Sequence, residues 1–293
     1  MEMMGGRLSA ESEVGRGSTF HFSARFSFGT SVERKTPSEE MTYPAGKLNP
    51  SEIGPSLRIL LAEDSEINQE VAMQLLRRWG HVVTVAGNGK EAVAAWEQHK
   101  YDLVLMDVQM PEMDGLEATE SIRASEKAKG GHIPVIAMTA HAMKGDLEVC
   151  LASGMDSYVS KPIEARKLLQ AIRNLFFDES KALERIDGDH EGLRKAAGKY
   201  LERWPEELTG IHQTVASRDL VSLEKKAHKM KGMVGVFCAE AAMQAAKRLE
   251  TIGRGGNAEG IDEVFQTMEQ AIQLLAKFLR CWLDGSTVQK HDE

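Results

Sequence analysis

The pattern of apolar and polar residues changes character along the chain. Between residues 57 and 177, short apolar runs alternate with amphipathic stretches of helical length. Strands that alternate with helices in this way indicate a parallel, doubly wound α/β sheet, and about 120 residues suit one such domain. The apolar runs predict five strands: Arg58–Glu63, Val82–Ala86, Leu103–Asp107, Pro134–Thr139 and Ser157–Ser160.

From Glu179 onward the strand pattern ends and only helical periods remain. Short connections between successive helices imply antiparallel neighbours. We therefore expect an all-α bundle over residues 182–283, followed by a tail at 284–293. The predicted helices are 189–203, 205–216, 219–236, 239–252 and 259–283. The breaks between them are predicted at Asp187-Gly-Asp189, Trp204-Pro205, Ser217-Arg-Asp219 and Gly253-Arg-Gly-Gly-Asn257.

The apolar and polar residues of the first 56 positions do not show the pattern of a complete domain. Residues 20–26 alternate between apolar and polar positions and predict one strand, which is too little structure to be stable alone. Residues 29–56 are rich in Ser, Thr, Pro, Gly and Glu and predict a flexible linker. We interpret residues 1–28 as the end of a larger domain and expect residues 1–56 to be largely disordered.

Composition narrows the functional classes. A net charge of −8 argues against a nucleic-acid partner. Cys150, Cys238 and Cys281 lie far apart without motif spacing, which is typical of thiols in a reducing cytosol. No apolar run approaches the roughly 18 residues of a membrane span, and residues 1–10 have no signal-peptide pattern. We expect a cytoplasmic module, with any inner-membrane anchor in a longer parent protein.

Three carboxylates follow two of the predicted strands. Glu63 and Asp64 end the first strand and Asp107 ends the third, so all three should lie at the carboxyl edge of the sheet. Such close like charges favour a cation, and Mg²⁺ suits a few carboxylates beside a phosphate. Thr139 ends the fourth strand and Lys161 follows the fifth, and they offer a hydroxyl and a positive charge to that phosphate. The pattern predicts that Asp107 attacks phosphorus.

Four sequence stretches resemble those of response-regulator receiver domains. They are LLAEDSEIN (60–68), LMDVQMPEMDG (105–115), MTA (138–140) and SKP (160–162). The resemblance covers residues 57–177 and implies a flavodoxin-like fold in which Asp107 is phosphorylated. It further implies the following roles: Mg²⁺ ligands at Glu63, Asp64, Asp107 and the backbone carbonyl of Gln109, switch residues at Thr139 and Tyr158, and a cis peptide bond after Lys161. Glu63 stands where many members have aspartate.

The predicted helix 219–236 carries an unusual histidine. An apolar stripe runs along this helix at three-four spacing, and His228 lies about 120° from its centre, pointing outward or to the stripe's edge. Gly232 lies one turn further on, and a glycine inside a helix costs about 1 kcal/mol, which suggests that space is needed beside the imidazole. Lys231 lies toward the stripe's edge, where its charge can offset that of a phosphate.

The stretch AHKMKG (227–232) resembles the phosphohistidine motif of histidine phosphotransfer (HPt) domains. The similarity extends over residues 182–283 and includes Leu249-Glu250. It implies a four-helix bundle in which His228 carries a phosphoryl group and which does not itself hydrolyse ATP.

The glycine-rich start has a third resemblance. GRGSTF (15–20) is similar to the last glycine segment of histidine-kinase ATP-binding domains, which implies that Gly15 and Gly17 belong to the remnant of a nucleotide site. The rest of an ATP site is missing. We therefore expect ATP to be a cofactor only of a complete parent kinase, and this chain to act as a phosphotransfer module.

Together these features predict the C-terminal part of a hybrid sensor histidine kinase. Asp107 accepts a phosphoryl group from an upstream histidine kinase core, in cis or in trans, and His228 takes it and passes it to a downstream response regulator. Two alternatives stay open: the receiver regulates kinase activity by conformation while His228 is idle, or it acts as a phosphate sink. A working ATP-dependent kinase is disfavoured by the missing ATP-site elements.

Overall fold

The computed structural model describes residues 8–13, 17–23, 53–129, 131–140, 144–256, 258 and 260–288. The chain divides into two compact units, residues 1–47 and 48–293. The first contains an antiparallel hairpin of β1 (Leu8–Glu13) and β2 (Gly17–Phe22). The expectation of a lone, disordered strand is wrong for these residues, because β1 supplies the missing hydrogen-bonding partner. Residues 24–52 lie outside the described part of the chain.

The second unit begins with a five-stranded sheet. All strand pairs are parallel, in the order β4-β3-β5-β6-β7. This confirms the predicted flavodoxin-like arrangement, with the first and fourth strands each one residue shorter than expected. The elements are β3 (Arg58–Ala62), α1 (Glu66–Arg78), β4 (Val82–Ala86), α2 (Gly89–Gln98), β5 (Leu103–Asp107), α3 (Gly115–Lys129), β6 (Val135–Thr139), α4 (Lys144–Ala152), β7 (Ser157–Ser160) and α5 (Ala165–Phe176).

Alternate residues of the central strands enter different apolar cores. In β5, Leu105 packs on the side covered by α1 and α5, whereas Met106 packs on the side covered by α2, α3 and α4. Both side chains are fully buried. A strand covered by helices on both faces reads as a continuous apolar run, which is why the sequence pattern of β5 was so clear.

The remaining helices form the bundle. Two aspartates accept backbone hydrogen bonds at helix starts, Asp189 from Gly192 and Asp219 from Ser222, and both lie at predicted breaks. The helices are α6 (Glu179–Glu184), α7 (His190–Ala216), α8 (Leu220–Gly235), α9 (Glu240–Gly255) and α10 (Ile261–Val288). No helix in the described part of the chain has the length and apolar character of a membrane span.

The predicted break at Pro205 is wrong. Helix α7 continues through this residue over 27 positions. An interior proline removes one backbone hydrogen bond and costs roughly 3 kcal/mol. Buried residues on both sides, such as Tyr200 and Leu208, pack against the rest of the bundle and offset that cost. Tertiary packing therefore overrides the local preference.

Candidate functional site

The three predicted carboxylates meet at one edge of the sheet. Strands β3 and β5 are neighbours with Ala62 opposite Met106, so the residues that follow them are brought together. Carboxylate oxygens of Glu63, Asp64 and Asp107 lie within 4.8 Å of one another. Glu63 and Asp107 are buried and Asp64 is exposed, so the cluster opens to solvent on one side.

Lys161 bridges the two buried carboxylates. Its Nζ lies 2.6 Å from Glu63 Oε2 and 2.7 Å from Asp107 Oδ2. Burial raises the pKa of Asp107, and the nearby charge of Glu63 adds to this while Lys161 opposes it. Burial disfavours the charged form of Lys161, but its hydrogen bonds to Asp107 and Glu63 outweigh this, and its pKa is raised. The excess negative charge fits a divalent cation held by the three carboxylates.

Glu63 is fixed by side chains to which sequence reasoning gave no role. Asn68 Nδ2 donates to Glu63 Oε1 at 2.9 Å, and Gln69 Nε2 donates to the Glu63 carbonyl at 2.7 Å. Both donors lie on the first turns of α1, directly after the acidic pair. Asn68 belongs to the stretch 60–68 that resembles receiver domains, but its hydrogen bond to Glu63 is visible only in the structure.

The other predicted receiver residues lie on β6 and β7 or directly after β5 and β7. The Gln109 amide donates to Asp107 Oδ1 at 3.2 Å. Thr139 is buried at the end of β6, and its carbonyl accepts the Lys161 backbone N–H at 2.7 Å. The Lys161–Pro162 peptide bond is cis. Tyr158 is 43% exposed on β7.

Gly115 closes the loop that follows Asp107. Its amide donates to the Val108 carbonyl at 3.0 Å, and a side chain at this position would overlap the backbone carbonyl of Asp107. The glycine therefore permits the close approach that turns the chain from β5 into α3.

Replacing Gly115 with alanine is expected to lower the free energy of unfolding by about 1–3 kcal/mol, the usual cost of overpacking a closed site. Urea unfolding measures the change. The matched control is Gly198→Ala in α7, where an added methyl meets no atom within 4 Å; there we expect a gain of about 0.5–1 kcal/mol. Equal effects at the two sites would contradict the assignment.

His228 is presented on the surface of the bundle. Its side chain is 69% exposed, as the stripe argument predicted, and its Nδ1 lies 2.9 Å from Glu250 Oε1. Gly232 is exposed one turn away with open space around it. The imidazole is therefore held at one nitrogen and faces solvent on an unobstructed surface.

Glu250 is the centre of this second site. It accepts hydrogen bonds from Lys231 and from Arg254, whose Nη2 lies 3.2 Å from Oε1. The bonds from Lys231 and His228 lower the pKa of Glu250 to about 2, so it is an anion at neutral pH. Lys231 thus contacts a carboxylate in this structure. Sequence reasoning named Glu250 only within a resemblance and gave it no role.

The described part of the chain does not test the nucleotide-site role predicted for Gly15 and Gly17. Gly15 lies outside the described residues. Gly17 begins β2 opposite Glu13. The proposed ATP-site remnant therefore stays a prediction.

Comparison with known proteins identifies both parts of the second unit. Residues 59–173 match the response regulator receiver domain family, and residues 195–278 match the Hpt domain family. The sensor protein GacS of Pseudomonas syringae pv. syringae is 35% identical over 252 residues, covering 76% of this chain and 28% of GacS. Hybrid signal transduction histidine kinase I of Dictyostelium discoideum is 48% identical over 120 residues, covering 39% of this chain and 7% of that protein.

A solved structure is also similar to this chain. It is the receiver domain of sensor histidine kinase PA1611 from Pseudomonas aeruginosa PAO1, with a magnesium ion in its active site cleft. It is 39% identical and covers 41% of this chain and 96% of that domain, with a TM-score of 0.37. This chain spans less than a third of the curated relatives named above. It carries a response regulator receiver domain and an Hpt domain and is homologous to the hybrid histidine kinases.

Proposed function

We propose that this chain relays a phosphoryl group from Asp107 to His228. The group comes from an upstream histidine kinase core and leaves to a downstream response regulator. The observation that carries the proposal is the pairing of two complementary sites: a buried aspartate beside Lys161 and two further carboxylates, and an exposed histidine oriented by Glu250. The receiver and Hpt domains are the components of phosphorelay signalling.

At the first site, a carboxylate oxygen of Asp107 attacks the phosphorus of a phosphohistidine. The new O–P bond forms as the N–P bond breaks, and the electron pair returns to the donor imidazole. Lys161 neutralises charge on the transferring group, and Thr139 donates its hydroxyl to a phosphoryl oxygen. Mg²⁺, held by Glu63, Asp64, Asp107 and the Gln109 carbonyl, supplies further charge neutralisation when bound.

At the second site, Glu250 fixes which nitrogen of His228 reacts. A carboxylate anion accepts a hydrogen bond only from a protonated nitrogen, so Nδ1 carries the proton and Nε2 carries the lone pair. Nε2 attacks the phosphorus on Asp107, the O–P bond breaks, and the carboxylate leaves with the electron pair. Glu250 also stabilises the positive charge on the phosphorylated ring.

Exposed apolar residues support docking at both sites. Ile67 on α1 is 78% exposed, close in sequence to Glu63 and Asp64. Val221 on α8 is 67% exposed and lies two turns before His228 on the same line of the helix. Large exposed apolar side chains beside reactive groups are typical of surfaces that contact partner proteins.

The test is phosphotransfer from a radiolabelled, phosphorylated kinase core. Wild-type chain with Mg²⁺ is expected to acquire acid-labile, base-stable label, which marks phosphohistidine. His228→Gln is expected to hold only base-labile label, which marks aspartyl phosphate. Chelating Mg²⁺ is expected to reduce the labelling of both Asp107 and His228 by on the order of 100-fold, because the carboxylate cluster loses its counter-charge.

Wild-type label that stays on Asp107 and never reaches His228 would exclude the relay and favour a receiver that regulates by conformation. Rapid release of inorganic phosphate from Asp107, without a phosphohistidine phase, would favour a phosphate sink. Full labelling in the presence of chelator would contradict the metal assignment.

A further inference from the structure

The Hpt bundle is attached to the receiver at the amino-terminal ends of the strands, whereas Asp107 lies at their carboxyl ends. Helix α5 begins at Ala165, shortly after Lys161 of the reactive pocket. Its 12 residues carry the chain about 18 Å back along the sheet. Only Phe177 and Asp178 then separate α5 from α6. The bundle therefore starts from the amino edge of the sheet, and this short connection leaves little freedom to reach the carboxyl edge.

Contacts from α10 secure this placement. Gln270 Nε2 donates to Asp102 Oδ1 at 2.6 Å and to the Tyr101 carbonyl at 3.4 Å. Asp102 directly precedes β5, the strand that ends at Asp107. At about 3.3 Å per residue, some 16 Å of strand separates the docked end from the reactive end.

Contacts from α9 form a second, charged part of the interface. The Arg248 guanidinium donates to the Gly131 carbonyl and lies 3.3 Å from His132 Nδ1. His132 Nε2 in turn lies 2.5 Å from Asp156, and Glu126 lies 3.6 Å from Nδ1. A cation from the bundle thus enters a receiver pocket that contains two carboxylates. These carboxylates also pair with Arg123, so they offset only part of the cost of burying the Arg248 charge.

Aromatic packing completes the interface. Phe176 of α5 stacks on Phe278 of α10 with ring centroids 5.2 Å apart, and Phe177 meets Trp282 edge-on at 5.3 Å. All four side chains are buried and belong to an apolar core that continues from the receiver into the bundle. The two domains are therefore packed against each other over apolar as well as polar surface.

His228 faces away from this interface. Arg248 and Glu250 are two residues apart on α9, so their side chains leave the helix about 200° apart. Arg248 reaches the receiver, and Glu250 reaches His228 on α8. The phosphoacceptor histidine is consequently on the side of α9 that is turned from the receiver.

We propose that phosphoryl transfer passes from Asp107 of one copy of this chain to His228 of a second copy. The inference rests on the proposed relay and adds its geometry: within one docked chain the two reactive groups face different directions. Nε2 of His228 in one copy attacks the phosphorus on Asp107 of the other copy. The N–P bond forms as the O–P bond breaks, and the Asp107 carboxylate leaves with the electron pair.

Mixing two inactive variants tests this directly. Asp107→Asn keeps His228 and lacks the first acceptor, and His228→Gln keeps Asp107 and lacks the second. A size tag distinguishes the chains, and the phosphorylated kinase core with Mg²⁺ is the donor. In an equimolar mixture we expect acid-labile label on the Asp107→Asn chain, at about one quarter of the wild-type initial rate at the same total concentration. The donor Asp107 and the acceptor His228 are each present at half of their wild-type concentration, so the rate of a step between two chains falls fourfold.

The control is a chain that carries both substitutions, Asp107→Asn and His228→Gln. Mixed with either single variant, this chain should yield no acid-labile label. Wild-type transfer should also accelerate per chain as the chain concentration rises, whereas an intramolecular step has a fixed effective concentration. Label on wild-type His228 with none in the mixture would overturn the proposal and leave the relay intact. Absence of label on His228 in both would instead refute the relay itself.

Discussion

Replacing Asp107 with asparagine is expected to abolish label on both phosphoacceptors while making the receiver more stable. The amide has no nucleophilic carboxylate oxygen, so phosphorylation should fall by on the order of 1,000-fold or more, and His228 loses its donor. Asparagine has nearly the same shape as aspartate, so the apolar cores around β5 are unaffected.

The stability gain follows from the raised pKa of Asp107, whose ordinary value is 3.8. An acid with a raised pKa in the fold binds its proton more tightly there than in the unfolded chain, so its ionisation destabilises the fold as pH rises above that ordinary value. At neutral pH the wild type bears this cost and Asp107→Asn does not. Urea unfolding in chelator should show the variant to be more stable at pH 7, with the difference closing as pH falls below 3.8.

Asp64→Asn is the matched control for the loss of phosphorylation and the gain in stability expected of Asp107→Asn. Asp64 belongs to the same carboxylate cluster but is exposed. Its replacement should slow phosphorylation through weaker Mg²⁺ binding, leave Asp107 able to accept label, and change stability little. Wild-type labelling in Asp107→Asn, or a loss of its stability at neutral pH, would contradict the assignment.

Replacing Glu250 with glutamine is expected to slow transfer to His228 by about 10- to 100-fold, by analogy with the loss of a side chain that orients a metal-bound imidazole. The neutral amide stabilises positive charge on the phosphorylated ring less well and does not enforce protonation at Nδ1. Base-labile label should therefore accumulate on Asp107 while acid-labile label appears slowly. A time course of both labels in the full chain measures this.

Glu224→Gln separates this effect from a general change in surface charge. Glu224 lies on α8 with His228, and its carboxylate accepts a hydrogen bond from Arg254 at 2.9 Å. Its replacement removes one negative charge near the site without removing the partner of the imidazole. Equal transfer rates in Glu250→Gln and Glu224→Gln would show that Glu250 does not orient His228.

The first reactive pocket could be predicted largely from sequence. Buried parallel strands read as continuous apolar runs, so the ends of β3 and β5 were visible, and neighbouring parallel strands bring their carboxyl ends together. The sequence alone therefore predicts that Glu63, Asp64 and Asp107 lie together at the carboxyl ends of these strands. The outward position of His228 followed in the same way from the helical period of α8.

The periodicity of apolar residues shows which face of a helix or strand is buried. It does not show which residues of another element contact the side chains on the exposed face. Glu250 lies 22 residues from His228, and only the packing of α8 on α9 makes it the partner of the imidazole. The continuity of α7 through Pro205 also depended on packing, because buried contacts outweighed a local helix-breaking preference.

The arrangement of the two domains was decided by the tertiary structure alone. Gln270 and Asp102 are 168 residues apart, and no spacing in the chain relates them. Sequence by itself determined what chemistry each domain carries, since that chemistry depends on residue types at strand ends and on one helix face. Which way Asp107 and His228 face depends on long-range packing between α5, α9 and α10, and that packing is what opposes transfer within one docked chain.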